Sequence, residues 1–480
     1  MFSSVNKDRP AFLLLAGLFL VFLFVSVFTG EYFWILVPFG IIVSFFGWQH
    51  VNLLFFFLLA AIPFSAEYQV TPELGTDIPD EFMMLITAGV FLLYFIYNPK
   101  VLTGNYKTHT LLFFLFLSIV WTTVTVLFST DHLLSVKFLL AKCWYLGAFV
   151  LAPLILFKDK RAIKTSFVIL AVSMLAAAVI ILIRHAGFHF RFADVNDSVH
   201  PFFRNHVNYS AMLVCVIPLF FAFFKLSDSK KLNFFIFLSV LVLLIALFFS
   251  YSRGAWLALL AGLVSYWLIN RKLLFLSFIA FLIFAAGSIF WLKHNDRYLR
   301  YAPDFKTTVF HKDFQQHLIA TYRLKDVSTE ERFYRWIAGI RMTGSNPLTG
   351  FGPNTFYNNY KPYAIPAFKT WVSDNQEHST VHNYFLLVAI EQGIPGLIFF
   401  LLLTGAMFYY AQKIFSKAGG RFYKTVAATA GAIITMLVVL NFLSDLIETD
   451  KIGSIFFLCL SVLIVLDDKI SSGEALEKKQ

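Results

Sequence analysis

Charge is what this sequence lacks most. Lys, Arg, Asp and Glu make up 14% of its 480 residues, where a soluble chain carries roughly a quarter. Cysteine is scarce too. Cys143, Cys215 and Cys459 each lie inside an apolar run, and an odd number so placed gives neither a disulfide framework nor a metal-ligand spacing. The chain has no Asp-x-Asp pair and no Walker motif, so a metal-bound sugar-nucleotide donor and ATP have no support. These absences exclude a soluble enzyme, a disordered chain and a disulfide-rich secreted module. What is present is apolar: 59% of residues are hydrophobic and 60 are Phe, one in eight, a load that needs lipid to hide it.

Apolar runs bounded by polar or Gly/Pro punctuation fall at about 11–29, 32–48, 51–65, 82–97, 109–128, 138–157, 165–183, 208–224, 233–250, 254–269, 273–292, 383–411, 422–442 and 452–466. Each is read as a helix, because a lipid-embedded segment can satisfy its own backbone in no other way. The runs 32–48 and 51–65 are short enough to be re-entrant. The expected fold is an all-α polytopic integral membrane protein with about 12–14 transmembrane helices. Its segments are an N-terminal bundle at 1–292, a long outer loop with helices at 293–382, C-terminal spans at 383–466 and a polar tail at 467–480.

Basic residues set the expected orientation. With the N-terminus inside, the short inner loops collect Lys7, Arg9, Lys100, Lys107, Lys158, Lys160, Arg161, Lys164, Lys225, Lys230, Lys231, Arg271, Lys272, Lys413, Lys417, Arg421 and Lys424. The opposite short loops are acidic: Glu67–Glu81 holds five acids and no base, and 444–450 holds three acids and no base. Both termini are therefore expected in the cytoplasm. The net charge of +11 follows from this sidedness, and a nucleic-acid partner is not expected. The loop 293–382 carries twelve Lys/Arg, eight Asp/Glu and five His. Loops so long cross regardless of charge and are usually functional. Ten of the twelve histidines fall on the outer side, so the chemistry is expected to face outward.

Within the long loop, Ser328 and Glu331 make a capping box that predicts a helix over about 329–343. Arg332 and Trp336 then share a face, with Arg335 in the same turn. His378 and His382 are four apart, a spacing open to three readings. They could chelate a metal, but the Glu of His-Glu-x-x-His is missing and no third ligand is evident. They could be a solvated pair. Or one could be a general base, since neutral imidazole accepts a proton near neutral pH. Arg253, where a span meets the outer surface, reads either as a snorkelling side chain or as a fork for phosphate. Lys142, inside a span, poses the same choice.

Five stretches occur in order: Ser252-Arg253-Gly254-Ala255-Trp256, Arg332 with Trp336, Asn346-Pro347-Leu348-Thr349-Gly350-Phe351-Gly352-Pro353-Asn354, His382-Asn383, and Glu391-Gln392-Gly393-Ile394-Pro395-Gly396-Leu397. With the long outer loop among them, they resemble the bacterial O-antigen ligase and polymerase superfamily over roughly 200–400. That resemblance implies a GT-C-like, metal-independent membrane glycosyltransferase without a cofactor. Its donor would be a glycan on undecaprenyl diphosphate, and its acceptor a sugar hydroxyl of lipid A–core or another glycan, at the periplasmic face of the inner membrane. By position, His382 matches the family's loop histidine, a base for the acceptor. Arg253 and Arg332 match arginines that hold the diphosphate, with Arg335 beside them and Arg204 in a region of less secure role. His378 and Asn383 would be supporting residues.

A polymerase on the same carrier is the nearest alternative. It has been associated with paired Arg-x10-Gly spacings, of which this chain has Arg341 to Gly352 but none from Arg184, Arg191 or Arg204. A ligase that glycosylates protein shares the scaffold. A non-enzymatic glycan or lipid transporter would place charges along several spans, and here the titratable groups cluster outside.

Overall fold

The computed structural model describes residues 36–71, 74–102, 106–295, 297, 327–365 and 380–473, with scattered positions between 17 and 29. Helices dominate. In chain order they are α1 (Leu36–Gln49), α2 (Val51–Ala61), α3 (Asp80–Tyr97), α4 (Thr110–Leu127), α5 (His132–Leu156), α6 (Lys160–Gly187), α7 (Val195–Val199), α8 (His206–Leu226), α9 (Lys230–Phe249), α10 (Arg253–Asn270), α11 (Leu274–Lys293), α12 (Val327–Ser345), α13 (Phe356–Asn359), α14 (Tyr384–Lys417), α15 (Arg421–Leu443) and α16 (Asp450–Ser471).

Among the described residues nine helices are long and apolar enough to cross a membrane. The runs expected at 32–48 and 51–65 form α1 and α2, both under 18 residues. The runs at 254–269 and 452–466 are the helices α10 and α16, and most of 11–29 lies outside the described residues. The protein is an all-α, multi-pass membrane protein. Its outward faces carry Phe113, Phe116, Phe234, Phe237, Phe284 and Phe290, all more than half exposed, as lipid-facing side chains are. The three cysteines are free.

Three departures from the sequence expectation matter. The acidic loop after α2 folds into an antiparallel hairpin, β1 (Ala66–Thr71) with β2 (Leu74–Ile78). Its first strand alternates over six residues only, and its second, Leu74–Ile78, does not. The helix α5 passes through a π-turn at Gly147–Leu151. There a Cβ at Gly147 would lie 2.4 Å from that of Ala88, so only glycine allows α3 and α5 to approach so closely. The last helix runs five residues beyond the expected boundary, and Asp467 is drawn inward to Lys413 Nζ, 2.7 Å away.

α15 is the central helix. α10, α8, α14 and α16 surround it, and nearly every residue from Thr425 to Leu440 is buried.

Candidate functional site

Proline and glycine break α14 near its start, and the break is where the site is built. Gly393 has φ of +71°, and Pro395 has no N–H for the carbonyl four residues back. The orphaned carbonyls find other donors, as buried backbone must. Phe351 N–H donates to Ile390 O (3.0 Å), Gly352 N–H to Glu391 O (2.9 Å), and Ile394 N–H to Pro347 O (2.7 Å). Trp121 Nε1 donates to Gln392 O at 2.8 Å. The Glu391 carboxylate, fully inside, accepts from the backbone N–H groups of Asn354 (2.8 Å) and Phe356 (3.1 Å). The two sequence stretches 346–354 and 391–397 are thus two halves of one structure. The turn-rich segment is clasped into the broken helix.

The clasp fixes the N-terminal end of α14, where Asn383 caps the helix by accepting from Leu386 N–H at 3.0 Å. Tyr384 N–H donates to Ser444 O at 2.9 Å, tying this end to the turn after α15. Immediately before the cap, His382 sits in the left-handed region with φ of +53°. A non-glycine residue held there marks strain maintained by its surroundings. His382 therefore lies outside the helix α14. His378 itself falls outside the described residues.

Arg332 and Arg335 meet at the turn after α15, and the start of α10, which Arg253 opens, packs beside it. Arg332 Nε donates to Leu443 O (3.2 Å), while Trp336, on the same face of α12, meets Phe442 edge-on at 5.9 Å. Arg253 opens α10, and a Cβ on its neighbour Gly254 would sit 3.4 Å from Leu443 Cδ1. Arg335 is different. It is 1% exposed, its Nη1 donates to Thr380 O (2.8 Å) and its Nε lies 3.4 Å from Glu331 Oε2. The helix α12 begins at Val327, so Glu331 serves Arg335 one turn on. Arg204 lines a neighbouring cavity of about 230 Å³ with Asp77, Glu448 and Asp450.

Asp445 was not singled out from the sequence. Its Oδ2 accepts from Thr380 Oγ1 at 2.5 Å, and its Oδ1 lies 4.0 Å from His382 Nδ1, too far for a hydrogen bond yet within a small side-chain movement of one. Burial raises the Asp445 carboxyl above its usual range, against the Thr380 hydrogen bond. Burial and then the guanidinium charges of Arg332 and Arg335 push His382 down to about 3. The imidazole is thus neutral at physiological pH, and about a third of its side chain remains accessible.

Thr380 and Asp445 also line a cavity of about 590 Å³, together with Glu391, Glu448, Lys137 and Lys142. Lys142 is paired with Glu448 at 3.2 Å and lies 4.9 Å from the Phe138 ring centroid, so its charge is directed at the cavity wall. Farther along, carboxylate oxygens of Asp77, Asp80 and Asp450 lie within 4.8 Å of one another. Lys451 Nζ, held by the carbonyls of Ile62 and Ser65, offsets part of that charge. The cavity is rich in acceptors suited to sugar hydroxyls, and the arginines stand beside it.

Residues 238–401 match the family model described as O-Antigen ligase. A curated relative, the O-antigen ligase of Salmonella typhimurium strain LT2, is 26% identical over 218 residues, covering 45% of this chain and 49% of the relative. The chain spans about half the length of the curated relative it matches. The matched segment holds Arg253, Arg332, His382 and both halves of the clasp. Across 238–401 the chain is thus similar to O-antigen ligases.

Proposed function

We propose that this protein is a ligase-type membrane glycosyltransferase. It moves a glycan from undecaprenyl diphosphate to a sugar hydroxyl of lipid A–core, at the periplasmic face of the inner membrane. The observation that carries this reading is the meeting of His382 and Arg332 at the turn after α15, beside the start of α10 that Arg253 opens and an acid-lined cavity. The printed name of the Salmonella relative points the same way.

The acceptor oxygen attacks the donor's anomeric carbon while its proton passes to His382. The bond from that carbon to the diphosphate oxygen breaks, and the diphosphate leaves as an anion. Arg253 and Arg332 neutralise it, so it needs no proton on departure. A positioned base contributes roughly 10²–10⁴-fold, and charge-assisted contacts to the leaving group supply more. Arg335 acts at one remove, holding Thr380, which in turn holds Asp445 against His382.

An imidazole with a pKa of about 3 is a weak base, because Brønsted behaviour favours a pKa near the working pH. The donor corrects this. Burial is the first cause of the low value and the guanidinium charges the second; the donor's diphosphate offsets the Arg332 part of the second, so the base strengthens when the donor is in place.

Purified protein incubated with lipid-linked glycan and lipid A–core, without any energy source, is expected to form the ligated product. No product would refute the enzyme and leave a transporter. In a deletion strain, lipopolysaccharide is expected to show unligated core. Core bearing a single repeat unit would assign a polymerase instead.

A further inference from the structure

At the end of the bundle remote from His382, a second large cavity opens between α8, α9 and α10 against α15. It measures about 600 Å³. Its location follows from helix direction: α8, α10 and α15 place Asn208, Arg253 and Leu443 at the site end, and Lys225, Tyr266 and Arg421 at the other.

The cavity has a polar mouth and an apolar shaft. Lys225 donates to Tyr266 Oη at 2.6 Å, and Arg421 reaches Asp228 Oδ1 at 3.3 Å across an exposed pair. Just inside, Asn233 Oδ1 and Thr425 Oγ1 are buried and have no hydrogen-bond partner among the described residues. Buried polar atoms left so are uncommon and point to an absent partner. Deeper, the walls are Ile217, Leu259, Ala432 and Met436. From Arg421 to Met436 is fifteen residues of helix, roughly 22 Å at 1.5 Å per residue. Half of a bilayer's hydrocarbon core is roughly 15 Å, so the shaft spans one leaflet. Phe221 and Leu263 at its rim are more than half exposed, facing where lipid would stand.

We propose that this cavity binds one anionic phospholipid from the leaflet opposite the candidate site. Its phosphate lies between Lys225 and Arg421, its ester region meets Asn233 and Thr425, and an acyl chain fills the shaft. A cationic mouth over an apolar shaft of leaflet depth matches that chemistry and no soluble anion, which would leave the shaft empty.

Native mass spectrometry of the detergent-purified full chain tests this, with phosphatidylglycerol and phosphatidylcholine as probes. One phosphatidylglycerol is expected to bind about ten- to a hundredfold more tightly than phosphatidylcholine, the range of a lost charge-assisted contact. The double variant Lys225→Gln/Arg421→Gln should bring phosphatidylglycerol down to the phosphatidylcholine level. Lys230→Gln/Lys231→Gln, basic residues of the same end that do not line the cavity, should leave binding unchanged. Equal binding of both lipids to the wild type would overturn the proposal. So would equal weakening by both double variants, which would mean diffuse surface charge, or full competition by soluble glycerol phosphate, which would mean an anion site without a lipid.

Discussion

The two ends of α15 differ in kind. At Leu443–Asp445 a buried arginine, a half-buried carboxylate and a left-handed histidine crowd around one turn, and the neighbouring helix is broken to admit a loop. At Arg421 the helices are regular, and the charges sit at the surface, as in the exposed Arg421–Asp228 pair. Exposed pairs of that sort contribute roughly 0–1 kcal/mol. The first end tolerates strain and desolvated charge because a rigid, apolar bundle below it supplies the stability. The lesson is a division of labour along one helix.

That contrast can be broken from the strained end. Gly393→Ala should have the largest effect, since a Cβ there would fall 2.0 Å from Leu348 O at positive φ. We expect a loss of about 4 kcal/mol or more, read as failure to recover folded protein. Glu391→Ala leaves the N–H groups of Asn354 and Phe356 unpaired, for about 2–4 kcal/mol in thermal unfolding. Arg332→Ala should lower transfer at limiting donor roughly ten- to a hundredfold. The milder Arg332→Gln removes a charge that holds His382 low, so the imidazole pKa rises. Its acid limb in the pH profile of kcat/KM should move to higher pH. An unmoved limb would separate the arginine from the histidine. Asp445→Asn should reduce kcat several-fold with little change in KM, since it orients the base without touching the donor. At the regular end, Lys230→Gln/Lys231→Gln should shift stability by no more than about 0.5 kcal/mol and leave transfer intact.

Much of this was legible in the sequence, for physical reasons. Lipid forces long apolar runs into helices, so the spans showed themselves. Arg253, Arg332 and His382 stood out because charge is rare in such a chain and because the ordered motifs framed them. Asp445 did not stand out. It sits in a short acidic loop that counted toward sidedness, and nothing local indicates that this loop meets the start of α14 in space. Glu331 looked like a capping residue, and its pairing with Arg335 depends on α12 beginning earlier than the box implied. The hairpin at 66–78 went unread although its first strand alternates, with Ala66, Tyr68 and Val70 between Glu67, Gln69 and Thr71, because the second strand, Leu74–Ile78, carries no such pattern and the segment weighed only as an acidic loop. The clasp was present as two motifs, but only the fold shows that they bind each other.

The central claim is that His382 takes the acceptor's proton while the arginines hold the diphosphate. The most direct measurement is transfer in vitro by His382→Ala, in protein shown to fold and to bind donor normally. The account expects kcat to fall by roughly 10²–10⁴ with donor affinity little changed. Near-normal turnover by His382→Ala would contradict it and leave the arginines as the only catalytic machinery at this turn.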